Sequence, residues 1–113
     1  MNIQIFGKAK CFETRKAERY FSERRIRYQM IDIIKYGLSK GEYESVKRAV
    51  GSMEALLDAN SKEEDAVFLR YMTDEAAREE KLLNNPKLFK TPIVRSGKKA
   101  TVGYHPEIWQ NWE

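Results

Sequence analysis

The feature that most constrains this chain is a double change of hydrophobic period between Asn2 and Ile33. Asn2 to Phe6 alternates apolar and polar side chains, which suits a short strand. Ala17, Tyr20 and Phe21 then fall at helical spacing among charges and predict a helix over about Phe12 to Arg24. Ile26 to Ile33 alternates again, with β-branched and aromatic residues, so a second strand follows. Strand, crossover helix and strand form a βαβ unit, whose strands run parallel and whose crossover is right-handed.

The middle of the chain reads as helical. Lys35 to Ser39 is a connection with turn chemistry at Gly37. Ser39 followed by Glu42 has the capping-box spacing and predicts a helix over about Lys40 to Val50. Further helices are predicted over Met53 to Leu57, Ser61 to Tyr71 and Thr73 to Leu83. The last of these is read as capped by Thr73, with Asp74 and Glu75 in its first turn. Asn84, Asn85 and Pro86 stop it. "TPIVR" and "ATVGY" then read as an antiparallel hairpin around Ser96 and Gly97. Pro106 opens a final short helix, with Ile108, Trp109 and Trp112 as its expected apolar contacts. The order βαβ, helical block, ββα predicts an α/β fold on a mixed four-stranded sheet. At 113 residues the chain reads as one domain, with a helical insertion at about 39–83.

Composition narrows the function classes. A hydrophobic content of 42% and a charged content of 34% suit an ordinary globular chain. No run reaches the length of a membrane span, and no long apolar leader begins the sequence, so a cytoplasmic location is expected. One cysteine cannot form an internal disulfide, which points to a reducing compartment. Disulfide chemistry would need a thiol from a small molecule, another protein or a second copy. The net charge is +4, with a pI near 9.2. Much of the excess lies in Lys8, Lys10, Arg15, Lys16, Arg19, Arg24, Arg25 and Arg27, against only Glu13, Glu18 and Glu23. Such a cluster attracts anions or an acidic protein partner, or is simply a solvated face. No nucleic-acid motif accompanies it, so nucleic-acid binding is not expected.

Cys11 stands where the first strand gives way to the first helix. A helix N-terminus presents free amides and positive potential, both of which favour a thiolate. Lys8, Lys10, Arg15 and Lys16 add positive charge, and Glu13 opposes it. Thr14, one turn on, either donates its hydroxyl to the sulfur or simply packs. His105, the only histidine, is a candidate proton donor, with capping or solvent exposure as the competing role. It lacks companions at ligand spacing, so no metal site is expected. Tyr104 offers a hydroxyl to a substrate or packs at the end of its strand. Neither a phosphate-cradling glycine loop nor a Ser/His/Asp set is visible.

Two separated blocks carry a resemblance. "IQIFGKAKCFETRKAERYFSERRIRYQMIDI" and "LLNNPKLFKTPIVRSGKKATVGYHPEIW" resemble the ArsC-like family of arsenate reductases, Spx-type regulators and related thioredoxin-fold proteins. The resemblance implies a thioredoxin-like fold with Cys11 as the redox-active, catalytic cysteine. It implies substrate contacts from Thr14, Arg15, Thr91, Pro92 and Tyr104, and a cis bond between Thr91 and Pro92. Thr14 occupies the place of a second cysteine in Spx-like members, so an internal two-thiol switch is impossible. Asp58, Thr91 and Tyr104 stand where glutaredoxin-coupled arsenate reductases are expected to carry arginines. Efficient arsenate reduction is therefore not expected, because arginine forks suit tetrahedral oxyanions. Arg95 is expected on a different face from Thr91 and Ile93. The implied chemistry is a mixed disulfide at Cys11 with glutathione as co-substrate, or with a glutaredoxin- or thioredoxin-type protein, and with no bound cofactor. The competing expectation is an Spx-like regulatory protein that contacts its partner through the basic first helix without catalysis.

Overall fold

A computed structural model describes residues 2–58 and 61–112. Its sheet is built around β1 (Ile3–Gly7), and the strand order is β2-β1-β3-β4. β1 runs parallel to β2 (Tyr28–Asp32), with Ile5 opposite Met30. On its other side β1 is antiparallel to β3 (Ile93–Ser96), with Ile5 opposite Val94. β3 turns at Gly97, where φ is +60°, into β4 (Lys99–Val102). This is the mixed four-stranded, thioredoxin-like arrangement expected.

The pleat divides the core in two. Ile3, Ile5 and Val94 point to one face and bury Ala17, Tyr20 and Phe21 of α1 (Phe12–Glu23) together with Trp109. Trp109 belongs to α6 (Pro106–Trp109), and its indole N–H donates to Thr101 Oγ1 at 2.8 Å. Ile108, expected to pack inward, is instead exposed. Phe6 and Ile93 point to the opposite face, under Tyr43, Val46, Leu56, Leu69, Leu82 and Phe89 from the helical block. Period-2 alternation in β1 and β3 thus dictates two separate layers.

The helical block is α3 (Lys40–Val50), α4 (Glu64–Tyr71) and α5 (Glu75–Asn84). The Ser39 capping box forms as expected: Glu42 N–H donates to Ser39 Oγ at 3.1 Å, and Ser39 N–H donates to the Glu42 carboxylate at 2.9 Å. Elsewhere the ends move. Asp74, not Thr73, caps α5, accepting from the Ala77 amide at 3.3 Å, since a carboxylate also answers the helix dipole. α4 begins at Glu64 rather than Ser61, whose hydroxyl is taken in a local turn by the Glu63 amide. The helix expected over Met53 to Leu57 is one 3₁₀ turn, Glu54–Leu56. β2 ends at Asp32, and a four-residue helix absent from the sequence reading follows, α2 (Ile33–Tyr36). Asp32 accepts from the amides of Ile34 and Lys35, at 3.0 and 3.4 Å, and Gly37 stops the helix. Among the described residues no helix is long and apolar enough to cross a membrane.

Candidate functional site

β1 delivers the chain through Gly7 to a tight loop, Lys8 to Lys10, at the carboxyl edge of the sheet. Cys11 N–H donates to Lys8 C=O at 3.0 Å, which closes the loop and leaves Cys11 as the N-cap residue of α1. Its side chain caps nothing and is half-buried. Facing it is Thr91, in the segment that leads into β3. Thr91 Oγ1 lies 3.2 Å from Cys11 Sγ, and Sγ lies 3.7 Å from Thr91 C=O. The Thr91–Pro92 bond is cis, as the resemblance implied. Pro92 C=O is occupied by the Gly103 amide at 2.8 Å.

Burial pushes the Cys11 thiol up. Hydrogen bonding from the Thr14 and Thr91 side chains and from the Thr14 and Glu13 amides outweighs burial and holds the thiol below its ordinary value. The lowered direction matches the expectation from the helix N-terminus. Thr14 is buried against Gly7: a Cβ on Gly7 would lie 2.4 Å from Thr14 Cγ2 and 2.7 Å from its Oγ1. Thr14 Oγ1 has no partner that meets full hydrogen-bond geometry, yet it lies near enough to Cys11 to favour the thiolate.

Lys8 is more than a positive charge near Cys11. Its ammonium donates to Lys87 C=O at 2.9 Å and to Phe89 C=O at 2.8 Å, tying the Cys11 loop to the segment before Thr91. Burial pushes the Lys8 pKa down, and the negative charges of Cys11, Asp58 and Glu63 act against that. Gly7 is a second residue that the sequence analysis does not single out. A glycine ending a strand just before the cysteine was the available signal.

The other candidates are less closely gathered. Arg15 turns back and donates to Ala9 C=O at 3.4 Å. Tyr104 makes an edge-on ring contact with Trp109 at 5.5 Å and lies under the Lys16 ammonium, with no hydrogen bond or ring contact to Cys11. His105 places Nε2 2.8 Å from Val102 C=O and Nδ1 3.0 Å from Glu107, so neither ring nitrogen faces the cysteine. Arg95 shares the face of Ile93, contrary to expectation, because residues two apart in a strand point the same way. It lies over the Phe6 ring and donates to the Gln4 side chain at 2.8 Å, at the far end of β3. An open apolar cavity of about 740 Å³ by Val67, Phe68, Tyr71 and Met72 holds neither Cys11 nor any residue bonded to it.

Comparison with known proteins bears on the family and the fold. Residues 6–112 match the model of the ArsC family. The Global transcriptional regulator Spx 2 of Oceanobacillus iheyensis is 30% identical over 113 residues, covering 95% of this chain and 80% of that protein. An arsenate reductase from Vibrio cholerae superposes with a TM-score of 0.82 at 22% identity, over 98% of this chain and 97% of its own. An arsenate reductase (ArsC) related protein from Brucella melitensis gives 0.68 at 24% identity, over 99% and 94%. At these identities the two superpositions establish the fold.

Proposed function

The chain belongs to the ArsC family, and from that premise we propose that it exchanges thiols and disulfides through Cys11. The carrying observation is the Thr91 hydroxyl 3.2 Å from a half-buried sulfur whose thiol is held below its ordinary value. The Cys11 thiolate attacks one sulfur of a disulfide; a Cys11–substrate disulfide forms and the other half leaves as thiolate. A second thiolate then attacks the substrate sulfur, restoring the Cys11 thiolate and leaving the substrate joined to the resolving thiol. Glutathione or a glutaredoxin- or thioredoxin-type protein supplies that resolving thiol, since the sequence holds one cysteine. We place the protein in the cytoplasm, where such thiols are reduced. Arsenate is not the proposed substrate: Asp58, Thr91 and Tyr104 offer no guanidinium, and Arg15 is turned to a backbone carbonyl.

The test is the pH dependence of Cys11 alkylation together with turnover of a disulfide in a glutathione-coupled assay, for wild type and Cys11→Ser. A midpoint below that of a free thiol and turnover lost in Cys11→Ser support the proposal. Equal turnover in both proteins rejects it.

A regulatory reading is favoured by a different observation. No carboxylate pairs with the cations of α1 among the described residues, and the relative from Oceanobacillus iheyensis is a transcriptional regulator by name. Partner capture that survives Cys11→Ser would favour it.

A further inference from the structure

Some cations of this protein sit against carboxylates, and a cluster along α1 does not. On the helical block and in the turn that follows it, Lys47, Arg78, Lys81 and Lys87 each lie within 3.1 Å of a carboxylate. Lys16 and Arg19 on α1 and Arg24 just past its end have no carboxylate partner among the described residues, and they converge on one groove. That groove, about 440 Å³, runs between α1 and the Tyr104 to Pro106 segment. Lys16 Nζ lies 5.2 Å from the centre of the Phe12 ring and 5.5 Å from that of Tyr104, so it bridges the two walls. The Arg24 guanidinium lies 3.8 Å over Tyr20 at the far end. Aromatic faces hold the side chains without neutralising them. Glu23 is the one carboxylate on the walls.

The groove has a direction. Phe12, 71% exposed, follows Cys11 directly, and Lys16, Arg19 and Glu23 continue its helical stripe. From Lys16 to Arg24 the axis spans roughly 12 Å, the length of about four extended residues. Its chemistry is cationic with aromatic walls, and its first lining residue on α1, Lys16, follows Cys11 on the same helix. We propose that the α1 groove binds an acidic polypeptide segment adjoining the cysteine of a disulfide partner, and so selects the partner of Cys11. This rests on the reading of Cys11 as a disulfide-exchanging nucleophile.

The experiment compares peptides that carry one cysteine as its 2-thiopyridyl disulfide, with either four glutamates or four lysines beside it. Attack by Cys11 joins the peptide to the protein and releases thiopyridone, which is read by absorbance. At low salt the acidic peptide is expected to react at least about tenfold faster than the basic one, and the ratio to fall as salt rises. In the triple variant Lys16→Gln, Arg19→Gln, Arg24→Gln the ratio should collapse to within about twofold, with rates normalised to iodoacetamide alkylation of the same protein. Equal rates in the wild type, or a preference that persists in the triple variant, overturns the proposal. So does a glutathione–thiopyridyl disulfide slowed as much as the acidic peptide, since the groove would then be a small-thiol site. Anisotropy of a labelled acidic peptide without cysteine separates the two readings. Absence of alkylation and exchange rejects the redox reading, while binding lost in the triple variant would still support the groove and binding unchanged would overturn it.

Discussion

Thr91 Oγ1 and Cys11 Sγ stand 3.2 Å apart although 80 residues separate them in the chain. The contact joins the turn after β1 to the segment that opens β3, and these strands are neighbours in the sheet. A hydroxyl in this position stabilises a thiolate more than a thiol, because only the anion is a strong acceptor.

Thr91→Val keeps the shape and removes that donor. The thiol then moves back up, and alkylation at neutral pH should slow by about tenfold, the scale of one hydrogen bond to a charged group. Thr91→Ser should restore the rate. A Thr91→Val protein with the wild-type pH profile would remove Thr91 from the site.

Lys8→Met breaks two bonds at once, to the carbonyls of Lys87 and Phe89. Cys11 acts on Lys8, whereas the favourable effects at the sulfur are hydroxyl and amide donors from Thr14, Thr91 and Glu13. Alkylation at neutral pH should therefore slow only about twofold, while stability falls by about 1–2 kcal/mol. Thermal unfolding alongside alkylation distinguishes the two effects.

How much of this was legible beforehand differs by residue. Ile3, Ile5, Phe6, Ala17, Tyr20 and Phe21 declared strand and helix by period, because burial on one face demands it. Cys11 was found from its position between them. α2 was missed since four residues show no period; only the Asp32 cap signalled it. Thr73 and Asp74 are both good caps, and sequence alone does not choose between neighbours. The Lys8 straps run to backbone carbonyls about 80 positions away, and carbonyls have no sequence signature. Arg95 shares the face of Ile93 because residues two apart in a strand point the same way, a parity the sequence itself carries.

Gly7 is where the backbone of β1 meets the side chain of Thr14. Gly7→Ala would place a methyl 2.4 Å from Thr14 Cγ2 and should destabilise the protein by about 1–3 kcal/mol. In Thr14→Ala most of the obstruction is gone, so the same substitution should cost markedly less. A denaturant-based double-mutant cycle reads the coupling, and additive effects would contradict the packing described.

Acid stability follows from Glu79. Its carboxylate accepts from Lys47 Nζ at 2.7 Å and from the Tyr43 hydroxyl at 2.5 Å, joining α3 to α5. The Lys47 and Tyr43 hydrogen bonds hold the Glu79 carboxyl below its usual range. A carboxyl depressed on folding adds stability that is complete above its unfolded pKa and is lost as pH falls through its folded value. Stability should therefore decline from about pH 5 downward, with Glu79 contributing roughly 1 kcal/mol at neutral pH. Glu79→Gln removes that share: it should be less stable than wild type at pH 7, and the gap should close towards pH 3. Urea midpoints for both proteins between pH 3 and 7 measure the difference, and a constant gap across that range would show that Glu79 gains nothing from its partners.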